Sequence, residues 1–493
     1  MLRRFPSRLS LPVAGKHPKR VSADEAKNPH AIPDNHVYVH SHASTPTELL
    51  DAMCRHVKRN NLTRVRPSHI VLRGRIPWTD KEYWGKIRSN CLFICDNVRS
   101  LVNQGHADYI PIFLSQIPQL FYSGALPVDV ALISVSPPDN RGFCTMGLDI
   151  DCSRAAASNA KKIVALVNPS VPRTHGDTSI HVSQIDYMVE VQDREIYVKP
   201  DGRQPTEIEK TIGRLIAENL VENGATLQLG IGTIPDTTLA AMKNHKDLGI
   251  HSEAVGDGVL DLMEMGVITG LKKSAMPGKI VTSYAYGTKR FHEFINDNPS
   301  FHFESSSWTN HHEVIRSNSK MTAINACLEI DLTGQIASES IGSTFYSGFG
   351  GQVDFVAAAA TAHDCKGKAI IVLPSRTSKG KPKIVPALTQ GAGVVTTRGH
   401  THYVVTEYGI ANLFGKSIRQ RAYELIRIAH PDDREQLEKA AYERFHCMPS
   451  QFRNKHFIVY HFPLQTDVLL QRFIAKRHSY INKSVVGWGR MHY

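Results

Sequence analysis

The chain has 493 residues, with 58 Lys and Arg against 46 Asp and Glu for a formal net charge of +12. Hydrophobic residues make up 41% and charged residues 21%, the composition of an ordinary globular enzyme of two or three domains. No apolar run approaches the ~18–20 residues that cross a bilayer, which excludes a membrane-spanning helix; eight cysteines without a Cys-x-x-Cys pair exclude a disulfide scaffold and suit a reducing, intracellular compartment.

The chain opens on MLRRFPSRLSLPVAGKHPKR, which holds Arg3, Arg4, Arg8, Lys16, Lys19 and Arg20, and the first acid is Asp24. An Arg-rich, acid-free start interleaved with Leu2, Phe5, Leu9 and Leu11 reads as a mitochondrial transit peptide over 1–20, addressing the matrix. A basic tail with no address is the alternative, and Pro12 breaks the apolar stretch too early for a secretory signal. Without those six bases the balance is 52 against 46, or +6, so half of the basicity belongs to the leader.

Beyond the leader, strand–turn–helix patterns recur. VYVHSHASTPTELLDAM (37–53) lies over TLQLGIGTIPDTTLAAM (226–242), with Pro46 on Pro235 and Met53 on Met242. AKKIVALVNPSVPRT (160–174) pairs in the same way with GKAIIVLPSRTS (367–378), each a buried strand running into a Pro/Ser/Arg loop. The pattern predicts two related α/β halves with mostly parallel sheets. Between them, VKPDGRQPTEIEK (198–210) is a loop ending in the capping box Thr206-x-x-Glu209. Ile208, Ile212, Leu215, Ile216 and Leu220 then follow at helical spacing, and Asn223-Gly224 stops the helix. This places an N-terminal domain over 21–205, a C-terminal domain over 206–475 and a tail over 476–493. A charged helix is expected from Ala422 to about Arg444.

Four segments have the residue types that chemistry needs. Gly230-Ile231-Gly232-Thr233-Ile234-Pro235 joins a strand to a helix, where glycines admit a ligand to the backbone and the helix start offers N–H groups. Pro235 stands where a dinucleotide fingerprint needs its third glycine, so the motif fits a plain tight turn as well as a ligand site. In SGFGGQVDF (347–355), Gly348, Gly350 and Gly351 can present N–H groups to an oxyanion; a structural turn is the heavier reading of that segment alone. His251-Ser252-Glu253 is no triad, because neighbours on a strand face opposite ways and no G-x-S-x-G elbow is present. Glu253 is itself a possible nucleophile, ionised at neutral pH without a base, although a surface ion pair is the plainer role for it. Glu407, at the turn in VVTEYG, is a candidate site edge. His400-x-His402 lacks the further ligands a metal needs, and no catalytic metal is expected. No basic stripe with interleaved aromatics follows residue 35, which argues against nucleic acid.

These residues together resemble a known family. HSEAVGDGVLDL (251–262), IDLTGQIASESIG (330–342), SGFGGQVDF, VVTEYGIANLFGK (404–416) and IAHPDDREQL (428–437) are similar to the acetyl-CoA hydrolase/transferase family of class I CoA-transferases. VDVALISVSPPDNRGFCTMG (128–147) and PRTHGDTSIHVSQID (172–186) agree, and the match runs from about Val37 to about residue 460. The resemblance implies two fused NagB/RpiA-like α/β domains and Glu253 as nucleophile. Glu253 would pass through an acyl-glutamyl anhydride and then a glutamyl-CoA thioester, in a ping-pong sequence. It further implies Ile231 and Gly351 around the oxyanion, Asn310 and Glu407 as polar contacts, and Gly230, Gly232, Gly350 and Lys379 on CoA. Ala254 and Phe349 depart from the pattern and bear on the acyl pocket.

The expected reaction is CoA transfer from acetyl-CoA to succinate. The partners are then acyl-CoA and small carboxylates, with no membrane, no permanently bound cofactor and a homo-oligomeric state. An acetyl-CoA hydrolase is the nearest rival, in which water takes the acyl group. A non-catalytic ligand sensor on the same fold is a rival of another class, and it has no reason to keep Glu253 with the paired glycines.

Overall fold

The computed structural model describes residues 7–26, 35–192, 194–200 and 203–450. Two large sheets form, one from each half of the chain, beside five small ones of two or three strands among the described residues. The N-terminal sheet uses Lys19–Arg20 (β1), His36–Val39 (β2), Arg66–His69 (β3), Asn90–Cys91 (β4), Asp108–Tyr109 (β5), Val130–Val135 (β6), Lys162–Val167 (β7) and Tyr187–Glu190 (β8). Its order is β1-β8-β7-β6-β2-β3-β4-β5, and every pairing is parallel. All six residues of β6 are buried, which explains its largely apolar sequence VALISV, interrupted by Ser134: a parallel strand is covered on both faces.

The C-terminal sheet uses Thr226–Leu229 (β9), Gly249–Ile250 (β10), Thr322–Ala326 (β11), Lys368–Val372 (β12), Tyr403–Thr406 (β13) and Gly409–Asn412 (β14). Its order is β10-β9-β11-β12-β13-β14, parallel except for the closing β13–β14 hairpin. The run β3-β2-β6-β7-β8 of the first sheet matches the run β10-β9-β11-β12-β13 of the second. The paired sequence segments therefore occupy equivalent strands: β2 with β9, and β7 with β12. The halves share one hydrophobic core, in which Tyr38 and Ile133 of the first pack in the same cluster as Leu227 and Ile324 of the second. They form one compact unit up to Gln451.

Helix signals map closely. The second half opens on α2, Glu207–Leu220, after α1 at Thr47–Arg59, and the Thr206–Glu209 capping box is closed in both directions. Ile212, Ile216 and Leu220 are buried, whereas Ile208 on the first turn is 43% exposed. The helix ends at Leu220, four residues before Gly224, because Val221 is already extended. The charged C-terminal helix is two helices, Ile418–Arg427 and Arg434–Phe445, since Pro431 cannot continue the first.

Most of the first twenty residues are described as well. Residues 1–6 lie outside the described chain, but Ser7–Arg20 packs on the N-terminal half. Leu9 is fully buried, His181 N donates to Leu9 O at 2.8 Å, and Val13 N donates to Ser183 Oγ at 2.8 Å. Lys19–Arg20 is itself the edge strand β1, so a division between residues 20 and 21 falls at the end of that strand. The boundary at 475 and the tail 476–493 lie outside the described residues. Among the described residues, no helix is long and apolar enough to cross a membrane. All eight cysteines are free thiols.

Candidate active site

The site forms where the strands of the second sheet end. Strand β9 stops at Leu229, and the chain turns through Gly230-Ile231-Gly232 into the helix α3, Thr233–Ala240. Gly232 has φ +149, a conformation that favours glycine. A Cβ at Gly230 or Gly232 would meet no atom within 4 Å, so the turn faces open space. Ile231 is half-buried against the shared core.

One strand over, β10 runs into His251-Ser252-Glu253, which the surroundings hold by its backbone. Ser252 Oγ donates to Leu229 O at 2.9 Å, tying this segment to the strand that leads into the glycine turn. That bond occupies the hydroxyl and agrees with the absence of a triad. His251 is buried against Thr309 O at 2.8 Å, and its pKa is lowered to about 3 by burial and by Lys273, so it is neutral. The Glu253 carbonyl accepts from Ser283 N at 2.9 Å, Tyr284 N at 3.0 Å and Thr282 Oγ1 at 3.0 Å.

With its backbone fixed, the Glu253 carboxylate meets two residues from elsewhere. Asn310, which ends the short helix Ser306–Thr309 (α4), donates Nδ2 to Glu253 Oε2 at 2.8 Å. Gly351 caps α5, Gln352–Ala360, and a Cβ there would overlap Oε2 and stand 2.5 Å from Asn310 Nδ2. Only glycine lets the helix start approach the carboxylate this closely. Gly350 next to it has φ +57. The structure therefore brings Glu253, Asn310, Gly350 and Gly351 together.

A second acid belongs to the same network and was not singled out from the sequence. Asp354, one turn into α5, accepts from Ser115 Oγ at 2.8 Å, Ser115 N at 3.1 Å and Asn310 Nδ2 at 3.3 Å. One amide group thus serves two carboxylates. Burial pushes Asp354 up to about 6 against the bonds from Ser115 and Asn310. Burial also pushes Glu253 up to about 8; the Asn310 bond opposes the shift, and the charges of Asp354 and Asp151 add to it. Asp354 lies three residues beyond Gly351 in the same motif, and that spacing on a helix start is the signal for it.

The N-terminal half clasps the glycine loop. Leu114 N donates to Gly350 O at 3.3 Å, Phe93 lies 3.0 Å from where a Gly348 Cβ would be, and Phe349 packs on Phe113 with centroids 5.5 Å apart. A cavity of about 520 Å³ opens between the halves, with Phe113, Ser115, Arg154, Trp308, Asn310 and Asp354 in its wall.

Two candidate residues sit apart from this group. Glu407 accepts from Ser375 N at 2.9 Å and Ser375 Oγ at 2.6 Å, so both of its oxygens anchor the loop that follows β12. That loop carries Lys379, exposed on a turn closed by Gly380 N to Thr377 O at 2.9 Å. His400 and His402 form no metal-ligand group among the described residues. His402 instead packs on the Phe414 ring.

Comparison with known proteins agrees with this geometry. The acetyl-CoA hydrolase/transferase N-terminal domain matches residues 16–199, and the C-terminal domain of the same name matches 287–441. The chain is 48% identical to a succinyl-CoA:acetate/propanoyl-CoA:succinate CoA transferase of Fasciola hepatica, over 89% of this chain and 91% of that one. It is 44% identical to a 4-hydroxybutyrate coenzyme A transferase of Clostridium kluyveri, over 87% and 98%. The crystal structure of RipA from Yersinia pestis superposes with a TM-score of 0.81 at 31% identity, covering 87% of this chain and 98% of that one. The matches to both halves and the identity to these relatives lead to one conclusion: the chain belongs to the acetyl-CoA hydrolase/transferase family and is an enzyme of CoA transfer.

Proposed function

We propose that the enzyme moves CoA from acetyl-CoA to succinate by a ping-pong route through Glu253. The observation that carries this reading is the Glu253 carboxylate, held by Asn310 at 2.8 Å against the Gly351 helix start. The name of the Fasciola relative, at 48% identity, supports the pair of carboxylates.

A Glu253 oxygen attacks the acetyl-CoA carbonyl carbon, and the C–S bond breaks to release CoA thiolate and leave an acetyl-glutamyl anhydride. The thiolate then attacks the Glu253 carbonyl carbon. The anhydride C–O bond breaks, acetate leaves, and a glutamyl-CoA thioester remains. Succinate attacks that thioester to give a succinyl-glutamyl anhydride and thiolate. The thiolate finally takes the succinyl carbonyl, which yields succinyl-CoA and restores the carboxylate. Each step exchanges one acyl bond for another, so no oxidant or resident cofactor enters.

The residues divide the work. Burial strips water from Glu253, which raises its pKa and makes the ionised form a stronger nucleophile. Asn310 Nδ2 and the neighbouring Asp354 fix which oxygen faces the substrate. Backbone N–H groups at Ile231 and Gly351 take the tetrahedral oxyanion, each worth on the order of 3 kcal/mol. The open turn at Gly230 and Gly232, with Gly350 and Lys379, receives CoA, whose distant contacts supply binding energy for the uphill anhydride step.

Initial-rate kinetics test the reading. Parallel double-reciprocal lines with acetyl-CoA and succinate are expected, with thiol release into water alone slower by at least tenfold. Equal rates with and without succinate would make the enzyme a hydrolase. We further propose a mitochondrial matrix location, supported by the Arg-rich start; a cytosolic reporter carrying residues 1–25 would contradict it.

A further inference from the structure

The turn that follows β2 buries a second cluster beside Glu253. His42, Asp149 and Asp151 are 4%, 0% and 1% exposed, and each brings one ligand-type atom within 4.8 Å of the other two. Both carboxylate oxygens of Asp149, Oδ2 of Asp151 and Nδ1 of His42 are sealed from solvent without a well-formed hydrogen bond, and the Asp149 carboxyl lies close enough to the Asp151 carboxyl and N–H to interact with them. The other oxygen of Asp151 is occupied, accepting from Cys152 N and from Ser153 Oγ at 3.3 Å, so that side chain is clamped with Oδ2 spare. The His42 ring is clamped as well, stacked on Tyr284 with centroids 3.9 Å apart and planes 11° apart. Arg73, whose charge acts on His42, lies over the Tyr286 ring at 4.4 Å and bonds neither aspartate.

Buried carboxylates are tolerated when they are paired, hydrogen-bonded or bound to a metal. A proton shared between Asp149 and Asp151 bridges one pair of oxygens and leaves the imidazole out. A cation accepts all three donors, and bonds of ~2.0–2.4 Å from one centre match ligand atoms spaced this closely. One imidazole nitrogen with two carboxylates suits a borderline divalent ion such as Zn²⁺ or Mn²⁺.

We infer that His42, Asp149 and Asp151 form a buried site for one divalent transition-metal ion. The ion would not touch the reacting atoms. It would join the turn after β2 to the 149–151 loop and hold His42 against Tyr284, whose N–H donates to the Glu253 carbonyl at 3.0 Å. The expectation of no catalytic metal considered His400-x-His402 and did not reach this group, whose histidine lies more than a hundred residues before its two aspartates.

The test uses the full-length protein, dialysed against Zn²⁺ or Mn²⁺, desalted and assayed for metal by mass spectrometry. Wild type and His402→Gln are expected to retain about one ion per chain, and Asp149→Asn less than a tenth of that. Dipicolinate should lower the melting midpoint of wild type, and restoring the ion should reverse the loss; this arm decides the matter even if Asp149→Asn fails to fold. Wild type that retains neither ion and shows no shift in melting would overturn the inference in favour of a shared proton. Retention of the ion by a folded Asp149→Asn would overturn it too. Neither readout depends on turnover, so failure here is separable from failure of the proposed reaction.

Discussion

The two sheets share a strand order, and the turn that follows the equivalent strand differs between them. After β2 the chain reads His40-Ser41-His42-Ala43-Ser44, and all five residues are buried. After β9 it reads Gly230-Ile231-Gly232, and both glycines face open space. Each turn uses a left-handed residue, His42 at φ +49 and Gly232 at φ +149. In one half the turn is filled by a side chain; in the other it is left clear for a ligand. A fold used twice in one chain has thus kept its topology and assigned the halves different work. The C-terminal half holds Glu253, the proposed reacting group, and the N-terminal half clasps the loop beside it through Phe93, Leu114 and Ser115.

Breaking the reactive half should have the largest effect. Glu253→Ala is expected to lower kcat by roughly 10⁴-fold or more, as loss of a covalent nucleophile does, read by succinyl-CoA formation from acetyl-CoA and succinate. Gly351→Ala comes next, because its methyl group overlaps the carboxylate oxygen. A displacement of that size costs about 10²-fold in kcat, and circular dichroism should show the fold unchanged.

The link between the halves is tested through Asp354, which Ser115 holds from the N-terminal side. Glu253 must be ionised to attack, so kcat/KM should rise with pH through an acid limb near 8. Removing the negative neighbour with Asp354→Asn should move that limb to lower pH and reduce kcat by about tenfold. Ser115→Ala should act in the same sense and less strongly. An unmoved pH profile in both variants would mean that the clasp is only structural.

Smaller effects concern stability. Deleting residues 1–20 removes β1 and the burial of Leu9, about 2 kcal/mol for the leucine alone. The melting midpoint should fall by several degrees. Smallest is a pH-dependent gain in Glu253→Gln. A carboxyl whose folded pKa is raised contributes stability at low pH and loses it as pH climbs through the folded value, here near 8. The glutamine variant should therefore melt above wild type at pH 9 and close to it at pH 5.

Much of this was legible in the sequence, for physical reasons that differ by element. The halves were visible because paired buried strands such as KIVALV and KAIIV carry mostly apolar runs that lead into similar loops. The capping box at Thr206 fixed the start of α2 to the residue. Glu253 and Gly351 were legible only through the motifs around them, since a lone glutamate or glycine pair carries no such message. Asp354 and the His42–Asp149–Asp151 group were not legible, because their meaning lies in burial and in contacts across the fold. Glu407 and Lys379 were named as site residues; the geometry places Lys379 on the loop after β12 and Glu407 at the end of β13, where it anchors that loop through Ser375 and makes no bond to Glu253. The leader's charge was plain, but the packing of Leu9 under His181 needed the folded chain.

The central claim is a covalent glutamyl-CoA thioester on Glu253, and borohydride trapping tests it most directly. The enzyme is treated with acetyl-CoA and then borohydride, digested and mapped by mass spectrometry. The account predicts inactivation only in the presence of acetyl-CoA, with Glu253 reduced to its alcohol. Inactivation that does not require acetyl-CoA, or full protection with Glu253 unmodified, would contradict it.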